Sequence, residues 1–462
     1  MNDTELQAWL EARFRAAPSP EPPAELQHAV RSDRIRTRTQ LGSGAPRRAW
    51  GLTRPRRAIG GAVVLAFTAV LAVALLTVVV LRPTQSPVSA GSGIAWRPAV
   101  QVPASGMIIG PYLASVGSRL YMVATSNAAD GTESTVVRSS SDGETWEQVS
   151  EPGAFANGGP RFFAQGISGD GQGGLIVVGG VSGDKTETTL PTAWHSTDGR
   201  TWTKAQVAAP ALARMAAVAA QPGAIVAIGD WRVPVPGGAA DQTVNQMYAW
   251  FSPDGNAWSQ VVLPDSSGYA PMAITAWEGG FAAIAQSDGL VLSSSVWTSA
   301  DGRTWEKAAQ DFVGFGPTAI TALGGRVVAV GDYLDPQGSV GSLVPTSWSS
   351  ADGRTWAKAT AAARQKATGF GDVTVVGDSL VAIGENFMGQ GWSPVGLGGP
   401  TGTPAPAPAA NVWVSSDGLT WKLLADDPKL MLGLYLNTHV AALGDRVVLA
   451  TNGEVFVGDL IP

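Results

Sequence analysis

RSSSDGETW at 138–146 returns five more times with small changes: WHSTDGRTW (194–202), WFSPDGNAW (250–258), WTSADGRTW (297–305), WSSADGRTW (348–356) and WVSSDGLTW (413–421). The shared frame is W-x-S-x-D-G-x-T-W. Its aspartates, Asp142, Asp198, Asp254, Asp301, Asp352 and Asp417, are separated by 56, 56, 47, 51 and 65 residues. A unit near fifty residues that recurs this often marks a repeat architecture, where each unit buries its apolar surface against the next. The Asp-Gly pair reads as a hairpin turn: Gly supplies positive φ and Asp accepts backbone N–H groups. Ser and Thr hydroxyls can cap the same turn, and the tryptophans can cover apolar surface between neighbouring units.

Five of the strings follow a short apolar run bounded by Gly: GGLIVVGG (173–180), GAIVAIGD (223–230), GGFAAIAQ (279–286), GGRVVAVGD (324–332) and GDSLVAIGE (377–385). Runs of β-branched and small residues like these are buried strands. Four short strands per unit make a propeller blade. Strand A precedes the Gly turn, strand B follows it, strand C ends at the Ser of the string, and strand D starts at its second Trp. The ends fix the blade number. THVAALGDRVVLATNGEVFVGDL (438–460) supplies strands A to C of a seventh blade and then stops. GIAWRPAVQVP (93–103) resembles a strand D, with Trp96 in the place of Trp202. The two incomplete ends make one blade, and closing the ring removes exposed sheet edges. The expected fold is all-β: a seven-bladed β-propeller of four-stranded blades closed by its N- and C-terminal strands, over 95–462.

At these residues the chain resembles the Asp-box (BNR) repeats of the sialidase-like propeller superfamily. The superfamily box is S-x-D-x-G-x-T-W; here Asp and Gly are adjacent, so the turn is one residue shorter. The resemblance implies that the six aspartates, with Trp146, Trp202, Trp258, Trp305, Trp356 and Trp421, are structural and lie at outer C–D turns away from any catalytic face. Sialidases also carry an Arg-Ile-Pro motif, an arginine triad and a Tyr/Glu pair, usually on six blades. The sequence has no Arg-Ile-Pro and counts seven blades, so it is not a typical sialidase. Such a fold serves glycosidases, sorting receptors and assembly factors alike, and fold does not choose among them.

The face opposite the C–D turns, made by B–C and D–A loops, is where a site is expected, because loops on a rigid scaffold carry function. Three blades place an acid just after strand B: Asp230, Asp332 and Glu385. Trp231, Arg232, Tyr269, Tyr333 and Trp392 are candidate ligand contacts on the same face, and Phe387 follows Glu385 there. Two carboxylates with stacking aromatics suit a glycoside hydrolase; the same residues equally cap turns and pack. A Pro/Gly-rich insertion at 393–411 delays strand C of blade 6. GDGQGG (169–174) reads as the A–B hairpin of blade 2 rather than a calcium loop.

Composition narrows the options. There is no cysteine, and only His28, His195 and His439, so no disulfide, thiol chemistry or histidine-rich metal site is expected, and no cofactor. Residues 1–57 carry eleven Arg against six acids; residues 82–462 carry twenty basic against thirty-one acidic residues, which together give the net −6. An acidic large domain argues against nucleic acid as a partner.

IGGAVVLAFTAVLAVALLTVVVL (59–81) has no charge over 23 residues, enough helix at about 1.5 Å per residue to cross a hydrocarbon core of about 30 Å. Arg47, Arg48, Arg54, Arg56 and Arg57 precede it and Arg82 follows it, so the N-terminus is expected in the cytoplasm and the C-terminus outside the cell membrane. The run is too long, and too far from the start, for a cleaved signal peptide. The expected layout is a partly helical tail at 1–56, a spanning helix at 57–82, a linker at 83–94 and the propeller. The tail reads either as an anchor whose arginines touch anionic lipid or as a docking segment for a cytoplasmic partner. The functional expectation is a membrane-tethered scaffold that binds an extracytoplasmic protein or carbohydrate. The alternatives are a tethered glycoside hydrolase and a transmembrane sensor or anti-sigma-like regulator signalling through the tail.

Overall fold

The computed structural model describes residues 93–99, 107–127, 133–156, 161–182, 189–208, 213–235, 242–288, 293–313, 315–334, 343–359, 369–385, 411–424, 438–451 and 454–461. The expected tail, spanning helix and most of the linker, and likewise Phe387, Trp392 and the insertion after it, lie outside these residues. Among the described residues no helix is long and apolar enough to cross a membrane. The chain divides into two compact units, Met1–Ser86 and Pro87–Pro462, and every described strand belongs to the second.

That unit is a seven-bladed β-propeller of four-stranded blades. Blade 1 is Met107–Val116, Arg119–Asn127, Glu133–Ser140 and Glu147–Gln148. Blade 2 is Phe162–Gly169, Leu175–Ser182, Thr189–Ser196 and Thr203–Lys204. Blade 3 is Ala213–Gln221, Ala224–Pro234, Thr243–Ser252 and Ala257–Ser267; Gln206–Val207 adds a short parallel strand to its outer edge. Blade 4 is Tyr269–Trp277, Gly280–Ser287, Ser293–Ser299 and Glu306–Val313. Blade 5 is Phe315–Leu323, Arg326–Leu334, Leu343–Ser350 and Ala357–Lys358, and blade 6 is Gly369–Val376, Ser379–Glu385, Asn411–Ser415 and Lys422–Leu423. Blade 7 takes His439–Leu443, Arg446–Ala450 and Val455–Ile461 from the end of the chain and Gly93–Pro98 from its beginning. Each strand A neighbours the strand A of the next blade, around a closed ring.

The ring closes through the two terminal segments, as expected. Gly93–Pro98 runs antiparallel to Val455–Ile461, with Trp96 opposite Gly458. A Cβ on Gly458 would fall 2.4 Å from Ile94 and 3.0 Å from the Trp96 ring, so only Gly admits the indole. Arg97 adds charge to the seam between blades 7 and 1. It pairs with Asp459 of its own blade and with Glu144 of blade 1 at 2.6 Å, while Arg446 donates to the Asp142 carbonyl at 2.8 Å.

Among the described residues the core forms seven clusters, one for each pair of neighbouring blades. Each contains the strand D tryptophan of the later blade: Trp146, Trp202, Trp258, Trp305, Trp356, Trp421 and Trp96. The first Trp of the string is buried in the same interfaces as Trp194, Trp250, Trp297, Trp348 and Trp413, with Phe456 in that place in blade 7. Blade 1 departs from this. Arg138 occupies the slot and is buried there, and burial pushes its guanidinium pKa down.

The recurrent turn works as its residues suggest. In the first copy the Ser140 hydroxyl donates to Asp142 Oδ1 at 2.9 Å and accepts the Gly143 N–H at 2.8 Å. Asp142 Oδ1 accepts the N–H groups of Glu144 and Thr145, both at 2.8 Å, and Trp146 Nε1 donates to the Gly143 carbonyl at 2.8 Å. In all six copies the aspartate accepts the N–H two residues on. The turn glycine has a φ that favours Gly, and a Cβ on Gly255 would also lie 2.4 Å from Ile176 of the preceding blade. In the sixth copy Trp421 Nε1 instead donates to Ser347 Oγ at 2.7 Å, and that hydroxyl passes the bond to the Gly418 carbonyl at 2.6 Å.

Two outcomes follow from this packing. Because Trp96 fills the same slot as Trp258, Trp96→Ala and Trp258→Ala should each cost about 3–5 kcal/mol in urea denaturation of the Pro87–Pro462 unit; a Trp96→Ala change near zero would mean an open ring. The N–H groups of Thr355 and Arg354 hold the Asp352 carboxyl well below the usual carboxylate range. Its folded pKa lies below the unfolded value of about 3.9, so the stability it adds is complete above that value and is lost as pH falls through the folded one. Asp352→Asn should therefore be less stable than the wild type at neutral pH, with the gap in urea midpoint narrowing as pH falls below about 4.

Candidate functional site

The expected acids sit where strand B reaches the B–C face, at one shared register position. Thr125, Gly180, Asp230, Gln286, Asp332 and Glu385 lie opposite Ile109, Phe163, Arg214, Ala270, Gly316 and Gly369 of the adjoining strands A. Asp230 is engaged by its cross-strand neighbour, its Oδ1 accepting from Arg214 Nε at 2.9 Å. Asp332 is buried, and Glu385 ends its strand B.

The aromatics are occupied as well. Trp231 is half-buried and packs against the cluster between blades 2 and 3. Next to it, Arg232 is exposed. The Tyr269 hydroxyl accepts from Lys307 Nζ at 3.2 Å, and that ammonium also lies 4.6 Å from the ring centroid. Lys358 Nζ lies 3.0 Å from the Tyr333 centroid. The structure thus brings Asp230, Trp231 and Arg232 to one strand end and Asp332 and Tyr333 to another, two blades away.

A second group emerges only from the register of strands A. In six blades the pairing of strands A and B shifts by a bulge, and the residue after it occupies an equivalent place: Tyr112, Gly166, Ala217, Ala273, Ala319 and Asp372. His439 holds this place in blade 7, opposite Ala450. Bulges re-aim side chains. Four consecutive blades carry Gly or Ala here, and the other three carry Asp, His and Tyr.

Those three touch. Asp372 Oδ2 lies 3.4 Å from His439 Nδ1 and accepts the Val440 N–H at 2.9 Å. The His439 and Tyr112 rings lie 4.9 Å apart, tilted by 46°. Burial pushes the Tyr112 phenol pKa up, against a smaller opposing effect of the Arg214 charge. The sequence does carry a signal for the group. Stacked in register, PYLAS, QGISG, AAVAA, MAITA, TAITA, GDVTV and THVAA differ at the second residue, where three of the seven are polar or aromatic.

A third group lies beside the C–D turns. Asp170 Oδ1 accepts the N–H groups of Gln172 and Gly174 at 2.7 and 2.8 Å, which builds the A–B hairpin expected at 169–174. Its Oδ2 lies 3.2 Å from His195 Nε2, and His195 Nδ1 lies 3.3 Å from Asn256 Oδ1 of the next blade. This chain of contacts clasps blades 2 and 3 together. Two surface concavities lie beside the turns: one is bounded by Ser141, Arg446 and Asp459, another by Asp301, Glu306 and Arg354. Among the described residues no three His, Asp or Glu converge as a metal ion requires.

No family model and no curated protein matches the sequence. Among solved structures, the chain is similar to one in the mitotic checkpoint complex, with a TM-score of 0.47 and 10% identity over 82% of this chain and 98% of that one. It is similar to the Trypanosoma rangeli sialidase bound to the inhibitor DANA, with a TM-score of 0.41 and 11% identity over 76% of this chain and 58% of that one. It is also similar to the Penicillium chrysogenum α-L-arabinanase complexed with arabinobiose, with a TM-score of 0.41 and 12% identity over 79% of this chain and 99% of that one. The propeller assignment rests on the strand pairing above and not on these likenesses.

Proposed function

We propose that the chain is a membrane-tethered, extracytoplasmic propeller that binds a protein or glycan ligand on its B–C face, with Asp-box-like turns serving as scaffold on the opposite side. The engagement of that face's own residues carries this reading. Asp230 is held by Arg214 at 2.9 Å, and Lys307 and Lys358 cover Tyr269 and Tyr333. Side chains held in this way and mixed in polarity suit recognition. A glycoside hydrolase instead needs one carboxyl free to act as acid and a second placed across the scissile bond. The tether is supported by the apolar run at 59–81 and by the arginines before it.

The full-length chain in detergent should turn over no fluorogenic glycoside, sialosides included. Turnover that disappears in Asp332→Asn would replace this reading with a tethered glycoside hydrolase. The cysteine-free background makes orientation directly readable. A membrane-impermeant maleimide should label Ser92→Cys in intact cells and Ser43→Cys only after permeabilisation; the reverse pattern would overturn the topology.

A further inference from the structure

Sevenfold repetition provides an internal control: a feature that breaks the pattern of its equivalents is there for a local reason. Blade 2 breaks it at the turn between strands A and B. Six blades reverse the chain there in two residues, as at 222–223 and 324–325, whereas blade 2 takes five, 170–174. The longer turn brings in Asp170, whose Oδ1 accepts the N–H groups of Gln172 and Gly174. Its second oxygen lies 3.2 Å from His195 Nε2.

His195 and Asn256 break the pattern of the repeated string. The place of His195 is held elsewhere by Ser139, Phe251, Thr298, Ser349 and Val414, and that of Asn256 by Glu144, Arg200, Arg303, Arg354 and Leu419. The two positions face each other across successive blades, as the Arg303 guanidinium of blade 4 shows by lying 4.0 Å from the Phe251 ring centroid of blade 3. Between blades 2 and 3 the pair is an imidazole and an amide, with His195 Nδ1 3.3 Å from Asn256 Oδ1. Gly255 seats the turn of blade 3 on the imidazole; a Cβ there would lie 3.3 Å from His195 Cγ. The His195 and Asp170 side chains are 14% and 10% exposed, so water competes little for these contacts.

Both ring nitrogens of His195 therefore face oxygens. An imidazolium donates from both, whereas a neutral imidazole has one N–H and one lone pair. A lone pair on Nε2 would meet the Asp170 carboxylate. A lone pair on Nδ1 would meet Asn256 Oδ1, and turning the amide over would break the bond from its Nδ2 to the Asp254 carbonyl at 3.4 Å. Neighbouring charges are committed elsewhere. Asp254 Oδ1 accepts the Asn256 N–H, Asp198 Oδ1 accepts those of Arg200 and Thr201, and Lys204 stands opposite Trp194. Ile176 and Thr203, which pair with His195 on strands B and D, carry no charge. Burial pushes the Asp170 carboxyl up, but the Gln172 N–H, His195 and the Gly174 N–H outweigh it and hold the group below the usual carboxylate range. It keeps its charge while an imidazole titrates.

We propose that Asp170, His195 and Asn256 form a pH-sensitive clasp between blades 2 and 3, closed while His195 carries both ring protons and released at the Asn256 contact when it loses one. The clasp belongs to the scaffold side and is independent of what the B–C face binds. Its contribution to stability is complete at acidic pH and is lost as pH rises through the imidazole range, about 6.5 for an unperturbed histidine.

The test is hydrogen–deuterium exchange of the full-length chain in detergent, read by mass spectrometry at about pH 5.5 and about pH 8, on either side of that range, with rates corrected for the intrinsic effect of pH. The wild-type turn at 250–258 should be about three- to tenfold more protected at the lower pH, the worth of one hydrogen bond. In His195→Gln, whose amide does not titrate, protection should be equal at the two. Asp170→Asn removes the charge that holds the second proton and should flatten the difference as well. Circular dichroism establishes that the variants are folded, and either one folded suffices. Equal protection at both pH values in the wild type overturns the clasp. So does a pH difference that survives in a folded variant, which would assign it to His439, the other imidazole of the propeller.

Discussion

A four-stranded β-sheet has two faces and can cover neither by itself. Everything in this propeller depends on how each blade covers the next, and the indole of strand D does most of that work. Seven tryptophans, Trp96 among them, each complete one of seven inter-blade clusters. An indole buries a large apolar area but brings one N–H that needs an acceptor. The turn supplies it, because the glycine that gives the turn its positive φ also offers its carbonyl three residues before the Trp. One short string therefore ends a strand, reverses the chain, satisfies the indole and seats the blade.

The sixth copy shows how tightly these demands are coupled. Position 347 is apolar in the equivalent strands, as Val137, Ala193, Ala249, Val296 and Val412. Ser347 introduces a hydroxyl into an apolar interface, and burying a hydroxyl without a partner is costly. It lies between the Trp421 indole and the Gly418 carbonyl and bonds to both. Arg138 is the contrasting case, a charge in blade 1 in a slot that holds an indole in five other blades.

A scaffold this repetitive separates support from recognition. The C–D side is given over to turns, inter-blade clasps such as Asp170–His195–Asn256, and the ion pairs that lock the seam. The opposite end of the strands is where equivalence breaks down. There the same register position is Ala in three blades and His in another, and a bulge in six of the seven strands A turns that position relative to its sheet. There Tyr112, His439 and Asp372 meet across three neighbouring blades.

Much of the molecule was legible in the sequence. The repeat fixed the blade unit, the Gly-bounded apolar runs located strands B, and the orphan strand around Trp96 foretold the closure and the seventh blade. These are local signals: a hydrophobic run or a turn residue acts within a few positions of itself, so its meaning survives without coordinates. The acids after strands B were equally visible, but their engagement was not, because Arg214 and Asp230 are sixteen residues apart and meet only through strand pairing. Tyr112, His439 and Asp372 are further apart still. They meet because strand register puts them at equivalent heights and because the ring brings blade 7 back against blade 1. What each blade is, and how many there are, follows from local residue preference. Which polar side chains meet depends instead on register and closure, and no residue's own preference encodes those.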